Sequence, residues 1–187
     1  YPCTDCVLHD TAPVVCVAPH SPHNDPLFAI VGEVPDTDGP IQGQRSKLLW
    51  DEMKEHGLYP PQAHLTTVVK CAPPDGYKIK QREVNTCSMY LNAELYWLKW
   101  ETSCRLILAV GTTAFKALGG NGNITQVQGV AYEYEGFTVV PVLHPSGAAR
   151  SPRRLDEFRR AIGGFARLVK GTSENFESEV ALVNALR

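Results

Sequence analysis

His144 lies in Val-Leu-His-Pro-Ser-Gly, after an apolar run and before a proline. Proline biases the residue before it to extended backbone, so the position of this imidazole is fixed. A histidine so held can donate a hydrogen bond to a developing anion, a large effect in a dry site. The plainer alternative is a histidine satisfied by local backbone groups. Ser146 and Gly147 follow, and their backbone N–H groups can meet a phosphate. The second candidate is the acidic stretch Gly32-Glu33-Val34-Pro35-Asp36-Thr37-Asp38-Gly39. Crowded carboxylates such as Glu33, Asp36 and Asp38 suit general acid or base work, or oxygen ligation of a metal. On spacing alone they read as a polar turn, because Asp and Gly are common turn formers. Gly111-Thr112-Thr113-Ala114 opens a helix whose N-terminus can cradle a phosphate. Neither the P-loop nor the dinucleotide-binding glycine pattern is present.

The six cysteines divide by context. Cys3 and Cys6 form C-x2-C, Cys71 follows a strand-like run, and Cys87 comes sixteen residues later. Two residues between cysteines let both thiolates reach one metal centre, and a second pair closes the site. Cys16 and Cys104 lie in apolar runs and read as small core residues.

These groups need a scaffold. Four short β-branched, apolar runs stand out: Leu27–Val31, His64–Val69, Arg105–Val110 and Thr138–Leu143. They have the character of buried parallel strands. Helical stretches fall between and after them: Gln44–His56, Gln81–Trp100, Thr112–Leu118 and Arg153–Lys170, the last expected to stop near Gly171. Alternating strands and helices predict a single α/β domain over residues 1–187, built as layers around a parallel sheet. In such sheets ligands bind beyond the carboxyl ends of the strands. The acidic stretch, Lys70–Asp75, the Gly111 turn and the His144 turn all fall there.

Composition narrows the class. The chain has 187 residues, 43% hydrophobic and 20% charged, with a net charge of −2. That excludes a disordered chain and a uniformly basic coat protein. No stretch approaches the ~18 apolar residues of a membrane helix. Charge is segregated, however. Residues 1–60 carry nine acids against Arg45, Lys47 and Lys54. Residues 150–170 carry seven bases, among them Arg150, Arg153 and Arg154, against Asp156 and Glu157. Taken alone, such a run is a solvated helix face. Placed behind the His144 loop, it is also a candidate phosphate-contacting patch.

The order of these pieces resembles the iron–sulfur (family 4) enzymes of the uracil-DNA glycosylase superfamily. The resemblance rests on Cys3-x2-Cys6, Val31-Gly32-Glu33-Val34-Pro35, Leu48-Leu49, Thr66 through Pro74, Glu83-x3-Cys87 with Tyr90-Leu91, Leu108 through Ala114, and His144-Pro145-Ser146 through Arg150. It spans roughly residues 3 to 168. It implies a three-layer α/β/α sandwich around a four-stranded parallel sheet. It implies a [4Fe–4S] cluster held by Cys3, Cys6, Cys71 and Cys87, from segments 1–16 and 71–87; zinc on the same four thiolates is the alternative. The implied reaction is hydrolysis of an N-glycosidic bond in DNA, with the target base flipped into the pocket, leaving an abasic site. His144 would stabilise the departing base, and a carboxylate among Glu33, Asp36 and Asp38 would position water or offset the sugar cation. Gly32, Ile41 and Thr67 would face the substrate, and Ser146, Arg150, Arg153 and Arg154 would grip DNA.

The loop after the first strand is shorter than the family's. Ile41 stands where the family places an aromatic that stacks on the base, and Thr67 where it places an asparagine that reads the uracil edge. Ala148 and Ala149 replace a bulky apolar residue. Ile offers no π face and Thr no paired amide contacts. The expected substrate is therefore uracil or a bulkier modified pyrimidine, and the second expectation is a glycosylase-like domain that binds DNA without cleaving. A monomer, or one domain of a larger chain, is expected in a bacterial, archaeal or viral cytoplasm, near the nucleoid.

Overall fold

The computed structural model describes residues 3–185, with side chains described to residue 171. In chain order the elements are α1 (Leu8–Thr11), β1 (Phe28–Gly32), α2 (Lys47–Glu55), β2 (Ala63–Thr67), α3 (Gln81–Glu101), β3 (Leu106–Val110), α4 (Thr112–Ala117), α5 (Ile124–Val127), β4 (Tyr132–Tyr134), β5 (Phe137–Val142), α6 (Pro145–Ala148) and α7 (Pro152–Ala185). The strands form one sheet in the order β2-β1-β3-β5-β4. The first four are mutually parallel, in registers such as Gly32 opposite Thr67 and Leu108 opposite Val140.

Every residue of β1, β2 and β3 is buried. For β1 and β3 that follows from sequence, since a strand covered on both faces is apolar throughout rather than alternating; β2 also buries His64, Thr66 and Thr67. The period of two then divides the side chains between two cores. Phe28, Ile30, Leu65, Leu108 and Val140 face Leu49, Trp50 and Met53 of α2 and Phe158, Ile162, Phe165 and Val169 of α7. Ala29, Val31, Ile107, Ala109 and Val139 face Leu91, Leu95 and Leu98 of α3, together with Leu8, Cys6, Cys71 and Cys87. The α7 contacts recur at three- and four-residue steps, the stripe of an amphipathic helix. Its Phe165 ring meets Phe28 edge-on at 5.6 Å and 85°. Each such fully buried side chain contributes roughly 1.5–3 kcal/mol.

Two features depart from expectation. The sheet has a fifth strand, β4, antiparallel to β5, with Tyr134 opposite Phe137. Glu135 and Gly136 join them with φ of 53° and 88°. Positive φ at both central residues is the hairpin turn whose twist matches the flanking strands. The signal was Tyr-Glu-Tyr followed by Glu-Gly, a run too short to stand out. Secondly, α7 does not stop at Gly171 but continues to Ala185. One internal glycine costs only about 1 kcal/mol relative to alanine and does not by itself end a helix. Among the described residues no helix is long and apolar enough to cross a membrane.

Candidate active site

The loops leaving β1, β2 and β5 enclose a cavity of about 500 Å³ at the carboxyl ends of the strands. Gly32, Glu33, Asp36, Ile41, His144 and Ser146 all line it, so the structure brings the two candidate loops together. Arg45, Tyr77 and the Pro73-Pro74 pair complete the walls used below.

His144 is extended (φ −60°, ψ 141°), as its following proline requires, and its side chain caps α6. The Ser146 backbone N–H donates to His144 Nδ1 at 3.3 Å, and Ser146 Oγ lies 2.8 Å from the same nitrogen. Burial, with the nearby Arg45 charge, holds the His144 pKa below its ordinary value. The ring is therefore neutral near pH 7. With Nδ1 accepting, the proton sits on Nε2, which is left as a hydrogen-bond donor. Gly111 follows β3 at φ 89°, and the chain turns there close to the His144 Cβ.

The acidic loop is tied down at both ends. Val68 N–H donates to the Gly32 carbonyl (2.8 Å) and Val69 N–H to that of Glu33 (3.0 Å), zipping the loop to the end of β2. Asp36 and Gly39 exchange backbone hydrogen bonds at 3.0 and 3.1 Å, making a tight turn. The Asp36 and Asp38 carboxylates both approach Gly43, where a side chain would come within 2.9 Å of Asp36 Oδ2 and 3.6 Å of Asp38 Oδ2. Asp36 lines the cavity and Asp38 does not.

Ile41 is buried at φ 53°, the left-handed region that a β-branched residue strongly resists. Its carbonyl accepts a 2.8 Å hydrogen bond from Trp50 Nε1, which anchors the loop on α2. Thr67 is placed differently from the sequence expectation. It does not line the cavity; it is 1% exposed, and its hydroxyl donates to the Val69 carbonyl at 2.8 Å. Its methyl lies behind Gly32.

The basic run also lies apart from the cavity. Arg150 is exposed just beyond α6, and neither it, Arg153 nor Arg154 lines the walls. Arg153 pairs with Glu157 at 2.9 Å, Arg159 with Glu52 at 2.7 Å and Arg160 with Asp156 at 2.9 Å. The permanent cation that does line the cavity is Arg45, which composition alone had left among scattered charges. Its position in the loop after β1 was the signal that could have found it.

On the opposite face of the sheet, Cys6, Cys71 and Cys87 are buried and Cys3 is half-buried. Burial, with the neighbouring Cys16, Cys87 and Cys6 sulfurs, pushes the Cys71 thiol up; burial, with Cys6 and Cys3, pushes Cys87 up. Backbone N–H groups oppose these shifts, from Cys16 to Cys71 and from Lys70 to Cys87. Three buried thiols with Cys3 at their edge, two of them met by N–H donors, make a donor set whose chemistry fits a thiolate-held iron–sulfur cluster. Among the described residues no three such side chains converge on a single metal ion.

Cys104 is in the core as expected, its thiol pushed up to about 12 by burial. Cys16 is not a core residue: it is half-buried at φ 54°, and its sulfur accepts the Cys3 N–H at 3.2 Å. The cause is tertiary. Val14 pairs with Ala72 and Val17 N–H bonds the Lys70 carbonyl, so this segment runs antiparallel beside Cys71.

Residues 19–165 match the family model described as the uracil DNA glycosylase superfamily. The fold agrees with that class: an α/β sandwich, here with a cavity lined by His144, Glu33 and Asp36 at the strand ends. The type-4 uracil-DNA glycosylase of Thermotoga maritima is 30% identical over 168 residues, 86% of this chain and 83% of the relative. That of Sulfurisphaera tokodaii is 32% identical over 137 residues, 65% and 60% of the two chains. That of Archaeoglobus fulgidus is 25% identical over 170 residues, 83% and 82%. The chain belongs to the uracil-DNA glycosylase superfamily, as a divergent member of its type-4 group.

Proposed function

We propose that this chain hydrolyses the N-glycosidic bond of uracil, or of a modified pyrimidine, flipped out of DNA into the 500 Å³ cavity. The observation that carries this reading is the His144–Ser146 contact. It occupies Nδ1 and leaves Nε2–H as a donor in a cavity that also holds Glu33 and Asp36.

The reaction passes through an oxocarbenium-like sugar while negative charge grows on the departing base. His144 Nε2–H donates to that base, and a fixed donor in a water-poor site is worth far more than one in water. The Asp36 carboxylate, with Glu33 beside it, offsets the sugar cation or orients the attacking water. Asp38 lies beside the same Gly43 turn and adds to the negative field there. Gly32 and Ile41 form the apolar wall against the base. Ser146 at the cavity, with Arg150, Arg153 and Arg154 further out along the chain, would contact the DNA backbone.

The absence of an asparagine at Thr67 and of an aromatic at Ile41 supports an altered base preference. Thr67 cannot read a base edge while its hydroxyl serves Val69. Cys3, Cys6, Cys71 and Cys87 would hold a [4Fe–4S] cluster, which when bound would cross-link the N-terminal segment to β2 and α3. A reducing cytoplasm suits such thiolates.

The test is a strand-cleavage assay on oligonucleotides carrying uracil or 5-substituted pyrimidines, with alkali to cut abasic sites. Cleavage that is lost in His144→Ala supports the reading. Binding without any abasic product would overturn it in favour of a non-catalytic DNA-binding domain.

A further inference from the structure

Arg45 is the one arginine or lysine among the residues lining the cavity. It belongs to the short turn Gln44–Ser46 ahead of α2, on the loop leaving β1. From there it reaches Asp75 Oδ1 at 2.8 Å, in the segment after β2, so the pair bridges two loops at the cavity's rim. The side chains are 52% and 97% exposed. An ion pair this open adds little to stability. What it does is hold a guanidinium in place at the rim. The arginine's charge is also felt at His144, so the two groups share one field. Three cations of α7, Arg153, Arg159 and Arg160, are each paired to a carboxylate, and none of the helix's cations lines the cavity.

A flipped nucleotide sends its base inward and leaves its flanking phosphates at the rim. A guanidinium fork matches phosphate geometry, and a fully exposed carboxylate is an easily displaced partner. The geometry points to Arg45 as the cavity's phosphate contact: on DNA binding it exchanges the Asp75 carboxylate for a phosphate flanking the flipped nucleotide. Asp75 keeps the guanidinium at the rim until then. This assignment rests on the DNA-binding half of the proposed function and not on base release.

The experiment measures binding of a duplex carrying a tetrahydrofuran abasic analogue as a function of salt, for the wild type, Arg45→Ala, Asp75→Asn and the double variant. Arg45→Ala lowers the slope of log K against log salt by about 0.9, the loss of one phosphate contact. Asp75→Asn tightens binding about threefold where Arg45 is present, and less in the Arg45→Ala background. An unchanged slope in Arg45→Ala, or an equal effect of Asp75→Asn in both backgrounds, would overturn the assignment. In turnover the Arg45→Ala loss falls mainly on KM. A loss confined to kcat, larger for uracil than for the better leaving group 5-fluorouracil, would instead place Arg45 on the departing base. Both side chains are exposed, so circular dichroism should show folded variants. If the wild type released no base, the salt slopes would still decide the role of Arg45.

Discussion

The side chain of Ile41 occupies the space that a side chain on Gly32 would need: a Cβ built there falls 2.5 Å from Ile41 Cδ1. The Ile41 backbone is strained at φ 53° and its carbonyl is anchored by Trp50, so the shift falls on the end of its side chain. A side chain on the last residue of β1 would therefore press on the wall of the cavity. Gly32→Ala should displace Ile41, lower stability by about 1–3 kcal/mol and reduce base release. Thermal melting and a cleavage assay check both. A variant with unchanged melting temperature and rate would show that the wall is soft.

His144→Ala should lower kcat by roughly 10²–10³, the usual cost of losing one donor to a developing anion. Ser146→Ala removes the hydroxyl at Nδ1 but keeps the backbone N–H, so its loss should be far smaller. Single-turnover rates at saturating DNA test the order. Equal losses would mean that the hydroxyl acts on the substrate directly.

Lys70 and Glu94 form an almost buried pair at 2.7 Å, with side chains 6% and 14% exposed. Thr66 Oγ1 accepts from Lys70 Nζ at 2.6 Å and donates to the same Glu94 carboxylate. Burial holds the Lys70 pKa below its ordinary value, against the opposing pull of Glu94. Glu94→Ala leaves that ammonium buried and unpartnered by a carboxylate, at a cost of about 3–5 kcal/mol. At roughly 2–4 °C per kcal/mol the melting temperature should fall by roughly 6–20 °C. A fall under about 2 °C would mean that Lys70 finds water.

His64 is 2% exposed, neither ring nitrogen has a hydrogen-bond partner among the described residues, and the ring lies 5.6 Å from Trp97. Burial, aided by Lys70, lowers its pKa from 6.5 to about 4. The unfolded chain then binds the proton first as pH falls. Stability should be full above about pH 6.5 and be lost progressively down to about pH 4, by up to about 3 kcal/mol. His144, shifted in the same direction, adds to the effect. Denaturant midpoints across this window, compared with His64→Phe, measure it. An equally steep decline in His64→Phe would assign the loss to other groups.

Cys71→Ser and Cys87→Ser should abolish bound iron, and Cys104→Ala should leave it intact, since Cys104 is spent in the core. Cys16→Ala removes a sulfur that accepts the Cys3 N–H but is not one of the four proposed ligands. It should keep the iron and shift only the visible absorption of the cluster. Iron content per chain and the absorption spectrum check these. Iron lost in Cys16→Ala would make Cys16 a ligand.

The sequence by itself determined most of the parallel sheet, because strands buried on both faces are largely apolar, as β1 and β3 are at every position; β2 buries His64, Thr66 and Thr67 as well. It determined the extended turn at His144, because Pro145 restricts the backbone locally. It placed the acidic loop and the His144 loop at the same end of the sheet, because strands joined by right-handed crossovers run the same way. It did not reveal β4, whose three residues pair only because a positive-φ turn folds them onto β5. Thr67 illustrates the other limit: pattern put it at a strand end, but only packing decided that its hydroxyl would serve Val69 rather than a ligand. Cys16 reads as apolar core until the antiparallel run of residues 14–17 along 70–72 sets it beside Cys71. Arg45 and Asp75 are thirty residues apart and unremarkable in sequence. Local chemistry constrains each residue's own backbone and burial; which distant residues share a cavity is fixed by the packing of loops, and no local pattern encodes it.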